Sequence, residues 1–525
     1  MKRALTFFFV LSGAIVSAEI AFAEILNVPS GLYTTIQAGV YSADPGDTVL
    51  VADGIYSGAG NTNIDLMGKA ITVKSQNGAK HTIIDCGGVG RAFSVNNAED
   101  ANTVIEGFTI QGGNLPDWPE GGGGIYCSGT APIIRSCIFK NNHGYFGGGI
   151  YFDAGAAPTI EKCQLTANSA NYGAALYGKE SSPVIKDCKI IENAAKWDGG
   201  GLYLDDCTDV VLSDSLIESN TALNKSGGGV FEDYSTGSIR NCEFKSNVAG
   251  GSDGGAINTD RMEITDSLFV DNYSKDDGGA IFNAGSAARI ANCYFIGNSA
   301  DGAGGAIYFC VQAASLVENC VFVGNDSPSG GAIYCFWHKT CQPEIVNCTI
   351  SNNTGGSGIY CASGGQPKIS NTILWDNEPA EITSLGDPIT VAYSDIQGGY
   401  PGTDNIAEDP LFVDPVKGNY RLSSGSPCID SGTAVGASSD DIVGNVRPEG
   451  DGYDMGAYEY VGVQPGDTEP DGDVDGSDLS LLAAEFGRTD CDAAHPCGSN
   501  CDGDNDVDET DLINFVGNFG RSNCR

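Results

Sequence analysis

The side chains with the clearest chemistry are carboxylates, and they recur at fixed intervals. Asp467, Glu469, Asp471, Asp473, Asp475 and Asp478 stand at positions 1, 3, 5, 7, 9 and 12 of a twelve-residue loop. Asn500, Asp502, Asp504, Asp506, Asp508 and Asp511 repeat that register farther along the chain. A hard cation such as calcium takes six to eight oxygens, with the position-7 carbonyl and the position-12 carboxylate among them. The spacing therefore predicts two calcium ions in one small C-terminal domain. Gly472 fills the sharp-turn position 6, and Asn505 replaces it in the second loop, where Asn tolerates left-handed backbone better than most residues. Each loop runs into a matching short helix, Asp478–Gly487 and Asp511–Gly520.

A second set of carboxylates gains meaning only from a repeat. The pattern G-G-[AG]-[ILV]-[YF] places its aliphatic residue at Ile125, Ile150, Leu176, Leu202, Val230, Ile257, Ile281, Ile307, Ile333 and Ile359. A second pattern, Cys-x-[apolar]-x-x-Asn, ends at Asn142, Asn168, Asn193 and seven later asparagines with a similar period. Short segments such as Pro132-Ile133-Ile134 lie between them, so each period holds three short strands separated by turns. Such a period describes one coil of a parallel β-helix, whose strands pair with their copies in the next coil. A helical solenoid would need longer runs without this glycine density.

Stacking turns spacing into geometry. Three residues after successive motif aliphatics come Asp153, Lys179, Asp205, Asp233 and Asp260. In register, neighbouring carboxylates lie about 5 Å apart and alternate ones about 10 Å. Those separations bracket the paired carboxylates of retaining and inverting glycosidases, and Asp205, Asp233 and Asp260 are the candidate catalytic residues. Asp206, Glu232 and Arg261 flank the row, with Trp118, Tyr145, Phe146, Tyr172, Trp197, Asp198, Asp276 and Asp277 in loops before the Gly-Gly corners. The same residues could equally bind polysaccharide or calcium without turnover.

The alternating GGAI and FxxN motifs resemble the repeats of polymorphic outer-membrane proteins, within the pectin-lyase-like right-handed β-helix superfamily. The stretch Tyr33-Thr34-Thr35-Ile36-Gln37-Ala38 followed by Asp47-Thr48-Val49-Leu50-Val51 resembles the start of such domains. The resemblance spans about residues 27 to 395 and implies right-handed coils closed by a short N-terminal helix. Asp409-Pro410-Leu411-Phe412-Val413-Asp414 and Asp454-Met455-Gly456-Ala457-Tyr458-Glu459 resemble a common ending of exported bacterial β-helix proteins. The duplicated loop and helix of residues 462–525 resemble a type I dockerin, which implies a cohesin-like domain as partner; an intramolecular calcium clamp is the alternative.

The expected fold is thus mainly β, a parallel β-helix of about 13 coils with a small α calcium-binding domain at its C-terminus. Residues 1–23 read as a signal peptide, with Lys2 and Arg3, an apolar stretch and Ala21-Phe22-Ala23 as the cleavage site. Residues 24–46 form an N-terminal cap, 47–394 the repeats, 395–461 a cap of the last coil, and 462–525 the calcium domain. No transmembrane span is expected once the signal is removed. Export makes disulfides plausible for the 19 cysteines, above all in the insert holding Cys491 and Cys497. Seven others, from Cys137 to Cys348, recur at one repeat position and read as interior packing.

A net charge of −41 disfavours nucleic acid, and four histidines make His-based zinc sites poor candidates. Two readings of function stand. One is a secreted or cell-surface solenoid that binds extracellular polysaccharide and docks to a partner. The other is a polysaccharide-degrading hydrolase or lyase.

Overall fold

The computed structural model describes residues 5–11, 14–20, 23–285, 288–310, 314–336, 338–386 and 388–462, and beyond them 467, 474, 476–491, 497, 499 and 506–519. It divides into two compact units, Met1–Met262 and Glu263–Arg525. Both are built of β-solenoid coils, about 14 turns in all. Counting motifs misses a turn because Ile25–Val28, Thr48–Val51 and Thr72–Ser75 form strands without the Gly-Gly signature.

A representative coil of the first unit holds Ile150–Asp153, Thr159–Glu161, Gln164–Thr166 and Ser169–Tyr172, and Leu176–Lys179 begins the next. Every strand pairs in parallel with its counterpart: Ile150 lies beside Leu176, Leu176 beside Leu202, and Leu202 beside Val230. The fourth strand exceeds the three that the repeat predicts. It forms because the corner asparagine fixes the turn, leaving the next residues extended enough to pair, as Ser169 does with Ala194. Inward positions such as Ile150 and Phe152 are fully buried, and each such side chain contributes roughly 1.5–3 kcal/mol. Outward positions between them, Tyr151 and Asp153, stay partly exposed.

The corners depend on two buried ladders. Asn142 donates through its N–H and its Nδ2 to Asn168 Oδ1, both at 3.1 Å, and through Nδ2 to Ile110 O at 3.0 Å. Asn168, Asn193 and Asn220 repeat this in the first unit, and Asn298, Asn325 and Asn353 do so in the second. The cysteines at the repeat position form the other ladder. They are buried free thiols whose Sγ donates to the carbonyl two residues back, as Cys188 does to Lys186 O at 3.2 Å. Ser215, Ser267 and Thr372 take the same position and make the same bond at 2.6, 2.7 and 2.9 Å. Gly147, at φ 54°, turns the corner where a Cβ would meet Ile150 O at 2.1 Å.

At the start of the first unit, helix Ile36–Ser42 is capped by Thr35 and buries Ile36 and Val40. Its Gly39 packs so closely on Val28 and Val49 that a Cβ would sit 2.8 Å from each. Ahead of it, Leu5–Leu11 and Ala14–Ile20 form an antiparallel pair. No described helix is long and apolar enough to cross a membrane.

In the second unit, Phe269, Phe295 and Phe322 stack with centroids 4.8 and 4.7 Å apart. After the last coil strand, Asp395–Ile396, the chain folds back along the flank of these coils rather than only across their end. Asn319, Asn347 and Asn371 donate to the carbonyls of Asp440, Asp454 and Thr433, and Ala457 N donates to Thr349 Oγ1. The returning segment is held by a fully buried Arg447–Glu459 pair at 2.7 Å. The C-terminal helices are Gly476–Glu485 and Glu509–Asn518. Each starts two residues before its expected first residue, the second because Asp508 caps it.

Burial raises several carboxyls of this unit, three of them the most. Glu381, which closes the asparagine ladder by accepting from Asn377 N and Nδ2, is raised to about 7. Asp454, buried against the backbone N–H of Asp430 and Tyr460, is raised to about 7, and Asp395, facing the Cys428 thiol, to about 6. A raised carboxyl favours the protonated native state. Its contribution is complete below the ordinary values of 3.8 and 4.5 and is lost as pH rises to 6 or 7. Urea unfolding of the full chain should therefore show falling stability of this unit from about pH 4.5 to 7. Glu381→Gln should flatten that slope; an unchanged slope would remove Glu381 from the account.

Candidate functional site

The strands that open each coil of the first unit present two parallel rows on their outer face. The inner row is aromatic: Tyr126, Tyr151, Tyr177, Tyr203 and Phe231, with successive centroids 5.3, 5.5, 5.0 and 4.9 Å apart. Two residues farther along each strand lie Asp153, Lys179, Asp205 and Asp233. Lys179 pairs in register with Asp205, and Asp205 with Asp233. Asp260 follows Ile257–Thr259, the strand that pairs with Val230–Asp233. All these outer residues are half-buried except Tyr177, which is 5% exposed.

The rows are chemically joined. Tyr126 Oη donates to both oxygens of Asp153 at 3.1 Å, Tyr177 Oη to Asp205 at 3.1 Å, and Tyr203 Oη to Asp233 at 3.5 Å. Lys179 Nζ reaches Asp205 Oδ2 at 2.7 Å. Asp233 is held above the usual carboxylate range by burial and then by Asp205, Asp206 and Asp260, and burial raises Asp260 as well. Because the rings lie against one another, the strip offers hydroxyls and carboxylates more than free aromatic faces. Hydrogen bonding to a polyol is the chemistry that fits it.

The flanking residues separate into groups. Phe146 joins the aromatic row at 4.5 Å from Tyr177, Tyr172 meets Tyr203 at 5.6 Å, and Tyr145 meets Tyr172 at 6.3 Å. Trp118 is 71% exposed, and Trp197 lies under Lys196 at 5.1 Å. Asp198 is buried beside Lys225 at 3.4 Å. Asp206 is exposed at left-handed φ 51°, and Arg261 covers Tyr234 at 5.8 Å. Asp276 and Asp277 belong to the second unit.

Glu232 faces inward instead. It is 3% exposed and accepts from the backbone N–H of Ser235, Asp260 and Arg261 and from Thr259 Oγ1. Burial raises its carboxyl, and its role is to staple the turn beneath the row. The carboxylate spacing does not include the aromatic row, although the sequence carries a signal for it. The last letter of the repeat pattern is aromatic, and alternation from the buried aliphatic must turn it outward.

In the C-terminal domain, Asp506, Asp508 and Asp511 bring ligand oxygens within 4.8 Å of one another. Asp511 and Asp478 are fully buried, and Asp467 is 8% exposed. Asp511 Oδ2 accepts from Asp508 N at 2.8 Å, and Asp508 Oδ1 from Thr510 N at 2.6 Å. Glu469, Asp471, Asp473, Asp475, Asn500, Asp502 and Asp504 lie outside the described residues. The clustered carboxylate oxygens of Asp506, Asp508 and Asp511 fit a hard divalent cation. The core beneath is Val474, Leu482, Cys491, Val507 and Phe515, with a Cys491–Cys497 disulfide beside it. Val474 and Val507 occupy the same position, the eighth, in the two loops. Cys501 and Cys524 lie outside the described residues.

The family model described as "Right handed beta helix region" matches residues 33–182, 68–230, 170–259 and 228–395. No curated protein sequence matches the chain. Among solved structures, a PL6-family alginate lyase, AlyGC, is 12% identical with a TM-score of 0.39, covering 73% of this chain and 53% of its own. This chain thus spans about half the length of that lyase. The A-module of the Azotobacter vinelandii mannuronan C-5 epimerase AlgE6 is 14% identical with a TM-score of 0.36, covering 71% of this chain and 94% of its own. Pectate lyase Pel9A is 14% identical with a TM-score of 0.28, covering 84% and 97%.

The inward carboxylate can be separated from the outward ones by experiment. Glu232→Ala leaves buried backbone donors without an acceptor, at about 1–3 kcal/mol each. Its urea midpoint should fall clearly, whereas that of Asp233→Asn should stay close to the parent. Equal midpoints for Glu232→Ala and the parent would count against the staple.

Proposed function

The chain belongs to the right-handed β-helix family, and from that premise we propose a secreted or cell-surface solenoid that binds extracellular polysaccharide and attaches to a partner through a calcium-loaded C-terminal module. The observation that carries the binding reading is the strip of Asp153, Asp205 and Asp233 with its tyrosine hydroxyls. It repeats hydrogen-bonding groups at the coil spacing of about 4.8 Å along an open sheet face. A hydroxyl-rich chain lying along that face would find a partner at every coil. The net charge of −41 weighs against polyanionic glycans and for neutral ones. The carboxylates are already tied to tyrosine and lysine, which suits a fixed recognition surface better than a cycling acid and base.

One observation favours the enzyme reading. Asp233, held protonated to higher pH, stands in register beside Asp205, close to the spacing of a retaining pair. A glycan array and reducing-sugar assays on a polysaccharide panel separate the two. Binding without turnover, weakened about tenfold by Asp205→Ala, is the expected result. Sugar release that is lost in Asp233→Asn would replace the binding reading with hydrolysis.

For the module, calcium held by Asp467, Asp478, Asp506, Asp508, Asp511 and the remaining loop carboxylates would bring two helices of ten residues to a stable fold. Such helices are marginal alone. Leu479, Leu481, Ile513 and Val516 leave an apolar surface exposed on them, which suits a cohesin-like domain. Titration calorimetry should count two calcium ions in the full chain and one in Asp511→Ala. Helical circular dichroism indifferent to chelator would remove the module from the proposal.

A further inference from the structure

A cleft of ≈ 500 Å³ opens in the second unit where the returning segment meets the flank of the coils. Its floor is the partly buried indole of Trp375 with Phe412 and Tyr420, the last two meeting edge to face at 5.2 Å. Asp376 and Asp409, both exposed, line it from the coil and from the returning segment. Asp376 Oδ1 accepts from Gln397 Nε2 at 3.0 Å, and Asp409 Oδ1 accepts from Leu411 N at 2.9 Å. Each carboxylate thus has one oxygen fixed and the other available. The rim is apolar and uncovered, with Leu411 42% and Val416 95% exposed.

We propose that this cleft binds an amino-sugar residue of a polysaccharide, its ring against Trp375 and its ammonium at the carboxylates. The chemistry selects that class. Among the described residues no lysine, arginine or histidine lines the cleft, and Lys417, the cation of residues 409–420, is paired with Asp414 at 3.1 Å. A uronate would meet two carboxylates without a counter-charge. A neutral hexose would use the indole and the hydroxyl acceptors but leave the charge unanswered. An ammonium-bearing hexose uses both, since aromatic rings attract cations as well as apolar ring faces. The cleft lies in a different unit from the strip of Asp205 and Asp233, so it does not rest on the function proposed for that strip.

Titration calorimetry on the full chain with calcium present tests this with three probes: a β-1,4 tetramer of glucosamine, cellotetraose and tetragalacturonate. The glucosamine tetramer should bind, at least about tenfold tighter than cellotetraose, and tetragalacturonate should not. Raising the salt to about 0.5 M should weaken the tetramer, because the contact is ionic and exposed. Asp376→Asn with Asp409→Asn should weaken it about tenfold, and Trp375→Ala should do likewise. The exposed aspartates do not threaten folding, so the paired variant stands even if loss of the indole unfolds the unit. Asp205→Ala should leave tetramer binding intact; loss there would move the site to the strip and overturn the proposal. Equal affinity for cellotetraose in a chain carrying Asp205→Ala, which disables the strip, full binding by the paired aspartate variant, or no binding of the glucosamine tetramer would each overturn it.

Discussion

A buried asparagine amide at each corner sets the register on which the rest of the molecule depends. Asn168 shows why. Its Oδ1 accepts two donors from Asn142, while its Nδ2 donates to Phe139 O and to Asn193 Oδ1. One side chain therefore ties its coil to the coil before and the coil after. All four bonds lie out of water, where an unmet amide costs about 1–3 kcal/mol. A coil that slipped by one residue would lose these bonds and turn its aliphatic side chains outward together. Register in turn decides the surface. Asp205 stands beside Asp233, and Tyr177 beside Tyr203, because Leu176, Leu202 and Val230 are locked in line beneath them.

The cysteine ladder answers a related need. At each turn the residue before the ladder position is left-handed, as Asp187 is at φ 52° before Cys188. The carbonyl before that needs a donor, and a thiol or a small hydroxyl supplies it. Ser215 and Thr372 substitute for cysteine without disturbing the ladder because the bond, not the sulfur, is what the turn requires. Oxidation would remove the donors. An oxidising destination alone therefore says little about pairing when thiols are used as hydrogen-bond donors in a stack, and the Cys491–Cys497 disulfide falls outside the stack.

What could be read in sequence followed from period, and what could not followed from return of the chain. The motif spacing marks the strands, the buried Ile and Asn positions and the in-line aspartates, because a solenoid makes neighbours of residues one coil apart. The strands near Thr48 and Thr72 lack the Gly-Gly corner, so counting corners undercounts turns. The returning segment has no period at all. Its contacts, such as Asn347 with Asp454 O or Tyr294 with Tyr458 at 3.1 Å, join residues more than a hundred positions apart, and no local pattern announces them. The cleft at Trp375 is made by that return, so no spacing in the sequence brings Asp376 and Asp409 together.

Acidity also divides by location. Many of the carboxylates are turn fittings: Asp47, Glu99, Glu232, Asp441, Asp454 and Glu459 are each nearly buried and accept backbone N–H groups. A buried carboxylate that accepts two or three amides can replace a missing turn partner, and Glu232 does so at a strand position that Phe152 or Leu204 fills with hydrocarbon. Such groups are committed to the fold and cannot serve a ligand. The outward carboxylates of the strip meet side chains instead, as Asp205 meets Tyr177 Oη and Lys179 Nζ. Sequence spacing cannot distinguish the two kinds, since Glu232 and Asp233 are adjacent. Strand alternation can, because it sends one carboxylate into the coil and the other to the surface.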